Sequence, residues 1–316
     1  MRWLFGGLVA LAAMAACHPA GPDRAHVEAL FSLDAGRRPA PASSVAVAAL
    51  GGALFAHRLG AASCRECHSP TSYGQDGLVH QRNTPTLVDA ARQSVFGWDG
   101  LAPSLAGMVQ RELATHHGLV HDASLQAVLQ SHPDLQRLFE PAFPGQAPTL
   151  DLAAAAISAH LATWRSRGRW DRYVDGDDEA LTAAERVGVA TFIEVGCAIC
   201  HGGRNLGGGS VHKLGLIEPY ESADRGREQV TGKATDRHVW KAPSLRLAAH
   251  TGPYLHDGSV ATLADVVRLM GRHELGKHLA ASQVAAIVTM LRAVGDVDVD
   301  ALPRTASLAM EHARDH

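Results

Sequence analysis

Cys64-Arg65-Glu66-Cys67-His68 and Cys197-Ala198-Ile199-Cys200-His201 decide how this chain is read. Each is a Cys-x-x-Cys-His pentad, the attachment signal of a c-type haem. In such a pentad the cysteines form thioethers with the porphyrin vinyl groups, and the adjoining histidine becomes an axial ligand of the iron. Cys-x-x-Cys also serves zinc, but a zinc knuckle leaves the histidine after each pair without a reason. The chain has five cysteines, and the two pentads use all but one of them. The reading is a protein of two c-type haems, attached at Cys64, Cys67, Cys197 and Cys200 and ligated by His68 and His201.

The remaining cysteine, Cys17, follows Arg2 and the apolar run Trp3 to Ala16, which reads as a secretory signal over residues 1–17. The run is shorter than the roughly 20 residues a spanning helix needs. Met14-Ala15-Ala16-Cys17 is similar to a bacterial lipobox, with Met where Leu is usual; cleavage at the Ala-x-Ala pattern of Ala13 and Ala15 is the alternative. Cysteine arithmetic favours the lipobox, because Cys17 is otherwise a lone thiol in an oxidising compartment. Either way a periplasmic protein is expected, with a lipid on Cys17 as its only tie to the membrane. A composition of 46% apolar and 19% charged residues indicates a globular chain. The net charge of −3 points to no nucleic-acid partner.

Residues 18–41, with four prolines and two glycines, read as a tether. Residues 42–165 and 166–303 then form two haem domains, and 304–316 a tail. Helix signals dominate: an apolar segment from Ser44 to Phe55, and an Ala/Leu-rich one from Leu150 to Trp164. Thr182-Ala183-Ala184-Glu185 is a capping box for a helix to Val195, closed by Gly196. Thr262 caps a helix carrying Met270, and Ser282 opens one from Gln283 to Val294. Arg165 to Asp178 reads as the connector. With no long alternating pattern, the fold class is mostly α, two cytochrome c-like domains.

Beyond the pentads, an ordered set of motifs resembles the bacterial dihaem cytochrome c peroxidases and their relative MauG. The first half carries Leu50-Gly51 and Leu54-Phe55, Arg82-Asn83-Thr84-Pro85-Thr86 and Trp98-Asp99-Gly100. The second carries Trp170-Asp171-Arg172-Tyr173, Asn205-Leu206-Gly207-Gly208 and Lys241-Ala242-Pro243-Ser244-Leu245-Arg246. It continues with Gly252-Pro253-Tyr254-Leu255-His256-Asp257-Gly258 and Met270-Gly271. The resemblance implies that the His68 haem reacts with hydrogen peroxide and the His201 haem transfers electrons. It implies Met270 as the second ligand of the His201 iron, where MauG has tyrosine, and Trp98 as an indole between the haems. It also implies a calcium ion between the domains, held by Asn83 and the carbonyls of Thr251 and Pro253, oxygen ligands that suit a hard cation.

Two departures matter. The peroxidases have a long loop after the first pentad with a histidine that blocks the peroxide-reacting iron; here the loop runs only from Ser69 to Gln81, and His80 does not align with that ligand. An open distal face on the His68 iron is therefore expected. The family's distal glutamine and glutamate are also missing, since Met108 lies near the first place and Glu112 comes too early for the second. His117 or His116 is the candidate acid–base group, imidazole being suited to proton transfer near neutral pH. The leading functional expectation is a MauG-like enzyme that oxidises a side chain of a partner protein. The alternatives are a peroxidase fed by a small cytochrome or cupredoxin, and a non-enzymatic electron carrier or haem sensor.

Overall fold

The computed structural model describes residues 21–32, 44–78 and 80–299. The signal, Cys17, most of residues 18–41 and the tail lie outside the described residues. Two large hydrophobic cores divide the chain, and a small third cluster gathers Tyr73, Val88 and Leu247. Helix α1 (Arg24–Phe31) precedes the first lobe, which contains α2 (Val45–Ala56), α3 (Cys64–Cys67), α4 (Leu105–Thr115), α5 (Asp122–Ser131), α6 (Pro133–Ala142) and α7 (Leu150–Leu161). The second lobe contains α8 (Arg169–Val174), α9 (Ala183–Val195), α10 (Glu228–Thr231), α11 (Leu263–Leu275) and α12 (Ala281–Gly295). Strands are three residues long. β1 (Ser166–Gly168) pairs antiparallel with β4 (Val297–Val299), and β2 (Val211–Lys213) with β3 (Val239–Lys241). Among the described residues no helix is long and apolar enough to cross a membrane.

Each pentad follows a helix that crosses another at a glycine. Ser44 caps α2 by accepting the Val47 N–H. At Gly51 this helix meets α7 so closely that a Cβ would lie 1.9 Å from the Ala156 carbonyl oxygen. In the second lobe Thr182 and Glu185 close the capping box on α9. At Gly188 a Cβ would lie 2.3 Å from the Ala286 carbonyl oxygen of α12. Gly196 ends α9 at φ 104°, a left-handed turn that glycine makes without strain.

Three expectations change. Residues 24–31, read as tether, form a helix because Val27 and Phe31, four apart, share one face. Both are fully buried in the second core, with the Phe31 ring edge-on to Trp170 at 5.1 Å. The expected connector is structured too: β1 and α8 occupy it, and Trp170 and Tyr173 are core residues. Helix α12 starts at Ala281 instead of after Ser282, because the Gln283 side chain accepts the Ala280 N–H at 3.0 Å.

A buried ionic seam joins the lobes. Arg246 donates to both carboxylate oxygens of Asp171, at 3.1 and 2.7 Å, and its Nε lies 3.2 Å from Asp89 of the first lobe. Ser166 donates its backbone N–H to Asp89 and receives a bond from Arg246 Nε. Burial pushes the Asp89 carboxyl up, against the pull of the Arg246 charge. Removing one partner of such a cluster strands buried charge at a cost of about 3–5 kcal/mol. Arg246→Met is therefore expected to lower the unfolding free energy by that order in equilibrium denaturation; an unchanged midpoint would show that the seam holds nothing.

Candidate haem sites and the seam between them

The first pentad is a single helical turn. His68 N–H donates to the Cys64 carbonyl at 2.9 Å, and Cys64 and Cys67, three apart, share a face. The His68 Nδ1 lies 2.8 Å from the Gly74 carbonyl. An oxygen there can only accept, so Nδ1 carries the proton and Nε2 keeps its lone pair for a metal. Gly74 is fixed for two reasons: φ is 72°, and a Cβ would meet the Trp164 ring at 2.9 Å.

The second pentad repeats the logic. His201 N–H donates to the Cys197 carbonyl at 3.0 Å, and its Nδ1 lies 3.2 Å from the Leu206 carbonyl. Gly207, at φ 120°, lets the imidazole and Pro243 close in; a Cβ there would lie 2.2 Å from the Pro243 oxygen and 3.0 Å from His201 Nδ1. Desolvation lowers the pKa of both histidines, which favours the neutral ring, the form that binds a metal. Burial pushes the Cys64 and Cys197 thiols up to about 12. Both ends of the buried Asn205 side chain, four residues after His201, lack a hydrogen-bond partner among the described residues. Paired thiols, a neutral imidazole held by a carbonyl, and an unpartnered buried amide together fit a covalently attached haem.

Trp98 ties the lobes together. Its indole N–H donates to the Asn83 carbonyl at 2.8 Å, and its own carbonyl accepts the Lys241 N–H at 2.9 Å. Asn83 is buried, donates its backbone N–H to the His256 carbonyl at 2.7 Å, and reaches Pro253 and Leu255 carbonyls with its side-chain nitrogen at 2.6 and 3.0 Å. Thr251 uses its hydroxyl on the Leu247 carbonyl. The structure thus gathers Asn83 and Pro253 and adds Leu255. With the amide nitrogen toward the carbonyls the group is a hydrogen-bond knot; turning the amide over, a 180° change, makes its oxygen a third hard ligand.

The remaining candidates fall at the end of α4 and on α11. His117 is buried, with Nδ1 2.8 Å from the Ala62 carbonyl and 3.2 Å from that of Leu59; its Nε2 lies 3.7 Å from Cys64 Sγ. It pins the segment before the pentad against the first cysteine. His116 is half-exposed and pairs with Glu112 at 3.1 Å. Behind the dominant effect of burial, the Glu112 charge also raises the Cys64 and Cys67 thiols, so this pair stands within electrostatic reach of the pentad. The spacing from the Trp-Asp-Gly motif passes over Glu112; the signal that brings it in is the helical i, i+4 relation to His116. His80 lies 2.8 Å from Asp76 and close to Cys67. Met270 is half-buried on α11, between the buried Val267 and Gly271.

Comparison with known proteins agrees with this arrangement. Residues 45–179 match the di-haem cytochrome c peroxidase family. The cytochrome c551 peroxidase of Pseudomonas aeruginosa is 35% identical over 253 residues, covering 73% of this chain and 72% of that one. The chain belongs to the dihaem cytochrome c peroxidase and MauG family. The methylamine utilization protein MauG of Methylophilus methylotrophus is 31% identical over 251 residues, with 73% and 74% covered. Among solved structures, a MauG-like protein associated with microbial copper homeostasis superposes with a TM-score of 0.67 at 25% identity, covering 80% of this chain and 90% of that one. The diheme peroxidase BthA of Burkholderia thailandensis superposes with a TM-score of 0.66 at 17% identity, over 86% and 94%, a likeness of fold alone. Members of this family are peroxidase-type oxidoreductases with two c-type haems. Replacing Cys197 and Cys200 together by Ala is accordingly expected to halve the covalent haem per chain in a pyridine haemochrome assay; full retention would remove this pentad from attachment.

Proposed function

We propose that this protein uses hydrogen peroxide at the His68 site, shares the oxidising equivalents with the His201 site through Trp98, and oxidises a side chain of a partner protein. When bound, the haems supply the iron that accepts peroxide and stores the oxidising equivalents. The observation that carries the reading is the fate of His80. The only histidine in the shortened loop is engaged with Asp76 at 2.8 Å, so the loop offers no free second ligand for the first iron. A site of this kind needs no prior reduction to admit peroxide. The MauG-like neighbour among solved structures supports the same reading.

The chain's own residues divide the remaining work. His116, oriented by Glu112 at Nε2, would take a proton from peroxide and return it through the opposite ring nitrogen, Nδ1, at the half-exposed end of α4. His117 serves by fixing the segment Leu59–Ala62 and Cys64. Trp98 keeps its N–H on a carbonyl, which is not a base, so the indole loses an electron without losing its proton. Met270 would offer a thioether to a haem iron held by His201, a ligand type that raises the reduction potential. Asn83 and the carbonyls of Thr251 and Pro253, joined by that of Leu255, would hold a calcium ion. Attachment of the haems takes place outside the cytoplasm, so the protein works in the periplasm, lipid-anchored through Cys17.

A second reading is favoured by Met270 and by the higher identity to the cytochrome c551 peroxidase: turnover of peroxide to water with electrons from a small redox protein. Adding peroxide to the diferric protein separates the two. Side-chain oxidation is expected to show a long-lived state in which both haems change in the visible and near-infrared spectra; turnover only after partial reduction would sink it in favour of the second reading. His116→Ala is expected to slow the reaction with peroxide by about 10²–10⁴-fold; an unchanged rate constant would remove His116 from proton transfer.

A further inference from the structure

The deep-set arginines of this fold face carboxylates: Arg246 has Asp89 and Asp171, Arg82 has Asp224, and Arg169 has Glu185. Lys241 is different. Its ammonium donates to the Gln93 amide oxygen at 3.0 Å, and among the described residues no carboxylate forms an ion pair with it. The side chain is half-buried, and desolvation pulls its pKa down to about 8. An ammonium has three donors and a charge. One neutral acceptor satisfies a third of the first and none of the second, so the environment is built for an anion that the chain itself does not provide.

The position says which anion. Lys241 lies on β3, and its backbone N–H is bonded to the Trp98 carbonyl. Gln93 is buried and packs on Gly208, where a Cβ would lie 2.7 Å from its Cγ. Gly208 in turn accepts the Ser94 and Val95 N–H groups and donates to the Ala242 carbonyl at 2.8 Å. Pro243, two residues beyond Lys241, closes on the His201 imidazole. The lysine therefore stands beside the second haem loop on the strand that also holds Trp98. The haem that this site fits brings its own anions, two propionate carboxylates.

We propose that Lys241, oriented by Gln93, is the seat of a propionate of the haem attached at Cys197 and Cys200. It is a positioning residue: it fixes that edge of the haem beside Trp98, and its charge favours the reduced iron. The inference rests on the family's haems and holds for either proposed substrate.

The test uses the full dihaem protein carrying Lys241→Gln, with the haem count checked by pyridine haemochrome and each midpoint followed by spectroelectrochemistry. The His201 haem is expected to become harder to reduce by about tenfold in equilibrium constant, which is about 59 mV for one electron, while the His68 haem moves less. An unchanged midpoint at the His201 haem, or a shift confined to the His68 haem, overturns the assignment. Should the glutamine variant fail to fold, Lys241→Arg keeps the charge and changes the donor geometry. In that variant the midpoint is expected to stay within threefold, and the propionate bending bands of the His201 haem to shift in resonance Raman spectra. Unshifted bands overturn the proposal.

Discussion

The salt-bridged core of the lobe seam, Arg246 between Asp89 and Asp171, is the constraint on which the rest of this structure depends. Buried ion pairs contribute little net stability, because desolvation offsets most of the attraction. Their value here is directional. A guanidinium with five donors in a rigid fork accepts its carboxylates in one arrangement, and one of those carboxylates comes from each lobe. Arg246 closes the segment that begins with Lys241, and Asp89 follows closely on Asn83, so the residues that lock the lobes flank those that meet across the seam. The bridge that Trp98 makes across the seam goes with that lock, since it is bonded to Asn83 on one side and Lys241 on the other.

The two pentads are alike in construction and unlike in surroundings. Each follows a helix that packs through a glycine, and each presents a neutral histidine held by a backbone carbonyl. Around the first stand two histidine–carboxylate pairs, Asp76–His80 and Glu112–His116, which suit proton chemistry. In the lobe of the second stand α11, which carries Met270, and a lysine without a carboxylate that reaches across the seam to Gln93. That difference in surroundings is what the proposed function asks of the two sites, an oxidant taken up at one and its equivalents stored at the other.

Much of this was legible in the sequence because the signals are local. The pentads, the Thr182 capping box and the Thr262 cap are short patterns whose physics lies within one turn of chain. What escaped depended on distant partners. Residues 24–31 looked like a tether because prolines and glycines surround them, and only the second core reveals the purpose of Val27 and Phe31. The buried roles of Trp170 and Tyr173 were hidden in a charged stretch for the same reason. Leu255 joins Asn83 only through the fold of the chain around Pro253. His117 and His116 were interchangeable as neighbours in sequence; the structure separates them, one buried on backbone carbonyls and one half-exposed on a carboxylate.

Inequality of the two haem sites is the central claim, and electron paramagnetic resonance of the as-isolated ferric protein tests it most directly. The account expects a high-spin signal from the His68 haem, whose loop supplies no second ligand, beside a low-spin signal from the His201 haem completed by Met270. Two low-spin haems with no high-spin signal would contradict it.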